Sequence, residues 1–552
     1  MHIFILTGIL CKIRYNKYND MRILGRIVRV RSTEQFIGIK AGAFDSDIIS
    51  CNYYSHSSHR EIQEGSAHMK PLHTLLKEYI AKSNYTIYQL AMDSGINRTT
   101  LQKALSGERP ISQENLSKIL PFLGLSVPEK RELDQAFLIS QIGEITYQKH
   151  MYLKNLLEGV NLPVSDLPAP KQGTTVLPGL QLQQACPVSG SYPIITTICN
   201  LLAAETSEGA GAYLYTISDF HNQFFCNLYI QLQAANLNML QVKHIVTFSK
   251  VSGNHDEASL SNLKTLSTLF PFAMSTPRDC SLYYCYEEIA AQKLSGIPYP
   301  YYLVLPQNVV LLSGNCQNAL ILPKECVPFY QQHFDGMLQS SMPLLDDIDT
   351  ASFLSTCISL SSSARYIYTL ETQPCIASFL DEDMIARCIN SELDPSQIRL
   401  LSQTLLEHCN NLQHTPDFLS IFSRKGYDDF VENGIIYQIP SGYYHPLSIE
   451  DRILLLQRLI SANQSGQKRF ILARGEAFRP QMEFFIYDGA ILFTRTPDNG
   501  SAQICIMKEP HIIQIFKDFL LHTSYYKLIY TVEETTELFR KSITQLTGQL
   551  SD

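Results

Sequence analysis

The placement of glycine, proline and capping side chains between Thr86 and Asn115 constrains this chain more tightly than any other feature. Thr86 stands where a helix needs an N-cap, ahead of Leu90, Ala91 and Met92. Gly95 follows at the position where a tight turn needs a permissive backbone. Asn97 is placed to cap a second short helix running from Arg98 to Leu105. Gly107 ends it, and Pro110 prevents its continuation. Ser112-x-x-Asn115 then opens another helix carrying Leu116, Ile119, Leu120 and Leu123. Upstream, Leu72, Leu75, Leu76, Tyr79 and Ile80 recur at helical spacing. Such a segment makes only short helices joined by tight turns.

The stretch YTIYQLAMDSGINRTTLQKALSGERPISQENLSKILPFLGL resembles the Cro/phage-repressor-type helix-turn-helix, the XRE family. That family has an apolar-Ala pair in its second helix, then Gly, an apolar residue, a polar cap and a recognition helix. Here the matching residues are Leu90-Ala91, Gly95, Ile96, Asn97, the helix through Arg98–Leu105, Gly107 and Pro110. The resemblance covers about 55 of the 552 residues. It implies double-stranded DNA as partner, with Asn97, Arg98, Thr99, Thr100, Gln102, Lys103 and Arg109 at the interface. Leu101 is expected to face inward with Leu90 and Ile96. The family often has Gln near the start of helix two, where it helps hold the phosphate backbone; this chain has Ile87 there. A small helical bundle without a DNA role is the structural alternative.

The net charge of −8 hides an asymmetry. Residues 69 to 128 carry seven Lys+Arg against four Asp+Glu, whereas residues 129 to 552 carry 28 against 42. A small basic module therefore precedes a large acidic body, the balance expected when only the head binds a polyanion. At 45% hydrophobic and 17% charged, the chain is too apolar to be disordered throughout. No run of 18 apolar residues occurs, so no membrane span is expected. The 14 cysteines are scattered without a CxxC pair, which fits a reduced, cytoplasmic setting.

The expected fold is multidomain: an all-α helix-turn-helix domain over 69–127, then a larger α/β (mixed α+β) body. Pro128 suits the first turn of a long amphipathic helix through Leu133, Phe137, Ile142, Ile145, Tyr152 and Leu157. This connector, 128–160, reads equally as a helix packed on a neighbour or as a dimerisation or coupling helix. Residues 161 to 190 are rich in Pro and Gly and read as a linker. The body is expected to form two lobes, 191–345 and 346–552. Expected strands include Ala212–Ile217, His244–Phe248, Leu282–Tyr286, Tyr301–Leu305 and Arg469–Ala473. Expected helices include Ile194–Ala204, Leu260–Leu269, Glu382–Cys388, Gln397–Cys409 and Glu450–Ala462. Segments 301–338 and 483–521 share an order of strand, turn, strand, polar loop, short strand, Lys-Glu, Pro and apolar-striped helix. The match suggests an internal duplication over about 191–345 and 346–524; two independent hairpin-helix units are the alternative.

Signatures of catalysis are sparse. Gly253-Asn254-His255-Asp256-Glu257 resembles one metal motif of calcineurin-like phosphoesterases, and Asp219-x-His221 another. The bridging acids such a two-metal site needs are missing, since residues 222 to 252 contain no acid. GxSxG, GxxxxGK[ST], GxGxxG, HExxH and HxKxxxxD are absent. Cys280 and Cys285 read as buried thiols, and the Tyr283–Tyr302 aromatic cluster as packing or a cleft lining. No catalytic residue, metal ligand or cofactor is assigned. The expectation is a homodimeric bacterial or phage-type transcriptional regulator whose body senses an unidentified ligand, peptide or protein. An enzyme or immunity-type effector using the helix-turn-helix for autoregulation is the alternative, and an assembly protein a third.

Residues 1 to 68 mix an apolar start, a basic run and a Ser/His/Tyr stretch, with no lasting period. They read as a poorly structured leader, or as upstream sequence ahead of a start at Met69. Glu64-Gly65 can be encoded by a ribosome-binding-site-like run, and Ser66, Ala67 and His68 give the spacer.

Overall fold

The computed structural model describes residues 70–159, 184–206, 213–218, 223–234, 241–250, 255–275, 280–287, 298–350, 352–437, 439, 442–475, 482–495 and 503–551. The leader, the Asp219-x-His221 pair, Gly253-Asn254 and much of the expected linker lie outside them. The described residues divide into two compact units. One holds the residues up to Pro343 together with Gln514–Tyr525; the other holds Leu344–Ile513 together with those from Tyr526 onward. No helix among the described residues is long and apolar enough to cross a membrane.

The head begins with α1 (Leu72–Lys82), α2 (Ile87–Ser94), α3 (Arg98–Ser106) and α4 (Gln113–Ile119), where the punctuation places them. Their shared core joins Leu75, Leu76, Tyr79, Leu90, Leu101, Leu105, Leu116 and Ile119. Two further helices follow, α5 (Val127–Ile142) and α6 (Glu144–Gly159). The single connector helix expected over 128–160 is thus two. Gly143 breaks it at φ +85°, a conformation that side chains with a Cβ rarely adopt. The head also runs beyond residue 127, because Leu133, Ala136 and Phe137 of α5 are part of its core. Tyr79 Oη donates to Glu132 at 2.5 Å, and Lys82 pairs with Glu129 at 3.1 Å, fastening α5 to α1.

The first lobe is a mixed sheet with helical crossovers. Its elements are β1 (Cys186–Ser189), α7 (Ser191–Thr206), β2 (Tyr213–Ser218), α8 (Gln223–Ala234), β3 (Gln241–Ser249), α9 (His255–Ser275) and β4 (Cys280–Glu287). After them come β5 (Tyr301–Val304), β6 (Val309–Leu312), β7 (Asn318–Leu322), α10 (Val327–Gln339) and β8 (Met342–Pro343). The strand order is β1-β7-β6-β5-β2-β3-β4-β8. Strands β2, β3 and β4 are parallel, so each connection needs a crossover, supplied by α8 and α9. β1 lies inside the stretch read as linker. It is a four-residue edge strand containing Pro187, and an edge position tolerates proline. Helix α6 packs on α9, with the Lys264 ammonium 5.3 Å from the Tyr152 ring centroid.

The second lobe repeats this topology. Its elements are β9 (Asp346–Asp347), α11 (Phe353–Ser361), β10 (Tyr366–Glu371), α12 (Glu382–Cys388), α13 (Pro395–His414), β11 (Asp417–Phe422), α14 (Arg424–Asn433) and α15 (Ile449–Ser465). They continue with β12 (Lys468–Leu472), β13 (Met482–Tyr487), β14 (Ala490–Arg495), β15 (Gln503–Met507), α16 (Pro510–Leu521) and α17 (Val532–Ser551). The strand order is β12-β11-β10-β13-β14-β15-β9. In both lobes three parallel strands adjoin an antiparallel three-stranded meander. In both, an early edge strand pairs antiparallel with the meander's last strand, β1 with β7 and β9 with β15. In both, the chain after the helix that follows the meander, α10 or α16, returns antiparallel to the opposite edge, β8 against β4 and Ile529 against Ala473. The hairpin-helix units read from the sequence, β5-β6-β7-α10 and β13-β14-β15-α16, agree in order and direction.

Candidate nucleic-acid interface

Local side chains fix the turn between α2 and α3. Thr86 and Gln89 form a reciprocal capping box at the start of α2: the Thr86 hydroxyl accepts from the Gln89 N–H, and Gln89 Oε1 accepts from the Thr86 N–H at 3.1 Å. Gly95 ends α2 at φ +67°. The Ile96 N–H then donates to the Ala91 carbonyl at 3.0 Å, and Ile96 enters the core. Asn97 caps α3 by accepting from the Thr99 N–H at 2.8 Å. Gly107 closes α3 at φ +82°, with His73 packed against it.

These constraints orient the two faces of α3. Leu101, Ala104 and Leu105 are buried in the head core. Arg98, Thr99, Gln102 and Lys103 are exposed. Thr100 is half-buried at the margin between the faces. Arg109 is exposed just beyond the helix, where its backbone N–H donates to the Lys103 carbonyl at 3.2 Å. The expected inward trio of Leu90, Ile96 and Leu101 is buried.

Charge is distributed to match. Elsewhere on the head, Lys70, Lys82 and Lys118 pair with Glu78, Glu129 and Glu114 at 2.8, 3.1 and 2.6 Å. Among the described residues, Arg98, Lys103 and Arg109 form no ion pair with an acid. The cations that neighbouring carboxylates do not neutralise thus include those on and just after α3. Unneutralised Lys and Arg attract phosphate, while Arg and Gln also offer paired donors and acceptors to base edges.

Sequence reasoning missed Tyr88. It stands 57% exposed on α2, with the Arg98 guanidinium 5.8 Å from its ring centroid. Ile87 and Met92 are exposed beside it on the same short helix. The signal was present in the sequence, since apolar residues on a helix of this kind belong inside, and these three fall outside the Leu90-Ala91 stripe. Ile87 occupies the place where the family often has its phosphate-holding Gln; Gln89, the nearest amide, is committed to the capping box.

Residues 76–130 match the family model described as Helix-turn-helix. They form a helix-turn-helix domain of the Cro/phage-repressor type. No curated protein is significantly similar to the whole sequence. Among solved structures, similarity extends to TrmBL2, an archaeal chromatin protein, at 12% identity and a TM-score of 0.20, covering 52% of this chain and 99% of that one. It extends also to a phosphatidylserine synthase of Haemophilus influenzae Rd KW20 at 12% identity and a TM-score of 0.22, covering 73% and 99%. A polyphosphate kinase from Porphyromonas gingivalis is similar at 10% identity and a TM-score of 0.19, covering 61% and 47%. Scores of this size carry no argument about the fold or activity of the chain.

Proposed function

We propose that the protein is a sequence-specific DNA-binding transcriptional regulator that reads the major groove with α3. The observation that supports it is the face of α3 carrying Arg98, Thr99, Gln102 and Lys103, exposed opposite a buried Leu101-Ala104-Leu105 stripe. Its cations have no acidic partner among the described residues. In this reading Arg98 and Gln102 contact base edges, and Lys103 and Arg109 hold phosphates. One such helix covers only a few base pairs, so the working form is a homodimer on a pseudo-palindrome, with recognition helices about 34 Å apart. The acidic two-lobed body does not contact DNA. It receives the effector, a small molecule, peptide or protein.

A genome-wide footprint of bound DNA supplies the operator, and gel-shift titration on it tests the reading. The triple variant Arg98→Ala/Gln102→Ala/Lys103→Ala retains the head's fold by circular dichroism and loses specific binding. A folded triple variant that binds the operator as the native protein does would overturn the assignment. Light scattering of the protein, free and with operator DNA, reports a dimer; a strict monomer in both states counts against the paired-site arrangement.

A further inference from the structure

Two imidazoles and one carboxylate converge at a place that no sequence spacing announces. Asp518 lies in the last turn of α16 and His522 just past its end, where the His522 N–H still donates to the Asp518 carbonyl at 3.1 Å, so the two stand on one helical face. His150 reaches them from α6, 368 residues earlier in the chain. Its Nε2 is 2.9 Å from Asp518 Oδ2, and His522 Nδ1 is 3.3 Å from Asp518 Oδ1. One ligand atom from each residue lies within 4.8 Å of the other two.

Packing holds the three in place. His150 is fully buried, with the Phe519 ring edge-on at a centroid distance of 5.6 Å. His522 stacks on Tyr525 at 5.6 Å.

We propose that His150, Asp518 and His522 bind a divalent transition-metal ion of the zinc class. Two imidazoles and a carboxylate are borderline donors, suited to Zn²⁺ and its first-row neighbours rather than to Ca²⁺ or Mg²⁺. Donor atoms on one tetrahedral zinc ion lie roughly 3.3 Å apart, so small side-chain rotations close the set around a metal. Three protein ligands leave a fourth position open, which marks an exchangeable site rather than a closed structural one. A metal there ties α6 to the end of α16. Because α6 follows the head helix α5 across Gly143, the site is also placed to report metal to the DNA-binding end. The binding claim itself does not depend on the DNA-binding reading.

The test uses full-length protein stripped with a chelator, then titrated with Zn²⁺ against a chromogenic competitor and with Co²⁺ by visible absorption. Wild type takes up one equivalent per chain and gives the d–d bands of a four- or five-coordinate Co²⁺ site. The half-buried positions carry the comparison, because His150 is too buried to replace safely. Asp518→Asn and His522→Gln retain wild-type circular dichroism and weaken Zn²⁺ by roughly 100-fold or more. Absence of stoichiometric binding by wild type overturns the proposal. So does binding that both variants retain at full strength, since the metal then sits elsewhere.

Discussion

The Arg98 guanidinium lies 5.8 Å from the centroid of the Tyr88 ring, joining the first residue of α3 to the exposed side of α2. Arg98 is a long side chain at a helix start, and by itself it samples many rotamers. A ring beneath it narrows them. A cation–π contact at an exposed position is worth about 0.5–1 kcal/mol. Tyr88→Ala is therefore expected to weaken operator binding two- to fivefold in fluorescence anisotropy, without lowering the melting temperature of the head. Tyr88→Phe, which keeps the ring, should bind as wild type does. Equal losses in both variants would show that the hydroxyl, not the ring, is the active part.

Arg98 and Gln102 differ from Lys103 in what they offer DNA. The first two present paired groups to base edges, each worth about 1–3 kcal/mol of discrimination, whereas a lysine ammonium is a point charge. Arg98→Ala or Gln102→Ala should thus relax sequence preference, read as a smaller ratio between operator and random-sequence affinities. Lys103→Ala should weaken both affinities alike and flatten the salt dependence by about one unit of slope. Binding measured at two salt concentrations separates these behaviours. A change of specificity in Lys103→Ala would reverse the assignment of roles.

The Asn97 side chain satisfies the Thr99 N–H at the start of α3. Removing such a cap costs about 1 kcal/mol. Asn97→Ala should lower the stability of the head by about that amount, while Asn97→Ser or Asn97→Asp should nearly restore it. Hydrogen exchange at the first turn of α3 is the direct readout.

What the sequence made legible follows from the range over which each signal acts. Gly95, Asn97, Gly107 and Pro110 act within a few residues, so the helix ends in the head fall where they read. The lobes were legible as matching hairpin-helix units because each is a contiguous stretch with strong periodicity. The break at Gly143 was missed because the apolar period runs through it, and an isolated glycine inside a helical pattern is tolerated at a cost of about 1 kcal/mol. β1 was missed because four residues are too few for an alternation of half-buried Cys186 and Val188 with exposed Pro187 and Ser189 to register, and the strand takes its identity from β7. The convergence of His150 on Asp518 and His522 was invisible, since it depends on tertiary packing between distant segments. Tyr88 is intermediate: its exposure is readable from helical phase, but its pairing with Arg98 needs the turn geometry.

Gly426 in α14 is set by a close approach rather than by a turn. A Cβ built there meets the Thr372 carbonyl oxygen at 2.1 Å, and that oxygen already accepts from the Ser423 hydroxyl at 2.8 Å and the Ser423 N–H at 3.2 Å. Both partners of the clash are backbone, so neither yields without moving α14 or the end of β10. Gly426→Ala is expected to destabilise the second lobe by about 3 kcal/mol or more. Gly489→Ala, where nothing lies within 4 Å of the added carbon, is the control. Thermal unfolding of the two variants should differ clearly; equal melting points would mean the lobe relaxes around the new methyl group.

His244 makes the first lobe sensitive to acid. It is fully buried in β3, where it shares a hydrogen bond with the Tyr229 hydroxyl and packs against Phe225 at a ring-centroid distance of 5.6 Å. Burial lowers its pKa from 6.5 to about 3. The folded state therefore keeps the ring neutral over a range in which the unfolded chain protonates it. Between these two values the unfolded state binds more protons, so stability rises with pH. The contribution is fully present above about pH 6.5 and is lost as the pH falls towards 3, by up to about 1.4 kcal/mol per pH unit. The melting temperature of wild type should accordingly fall more steeply than that of His244→Asn between pH 7.5 and 5. The comparison rests on the slopes, because the substitution also changes packing at every pH. Carboxylates titrating in the same interval are common to both proteins and cancel in the difference. Parallel slopes would mean that His244 reaches solvent or acquires a partner for its proton before the lobe unfolds.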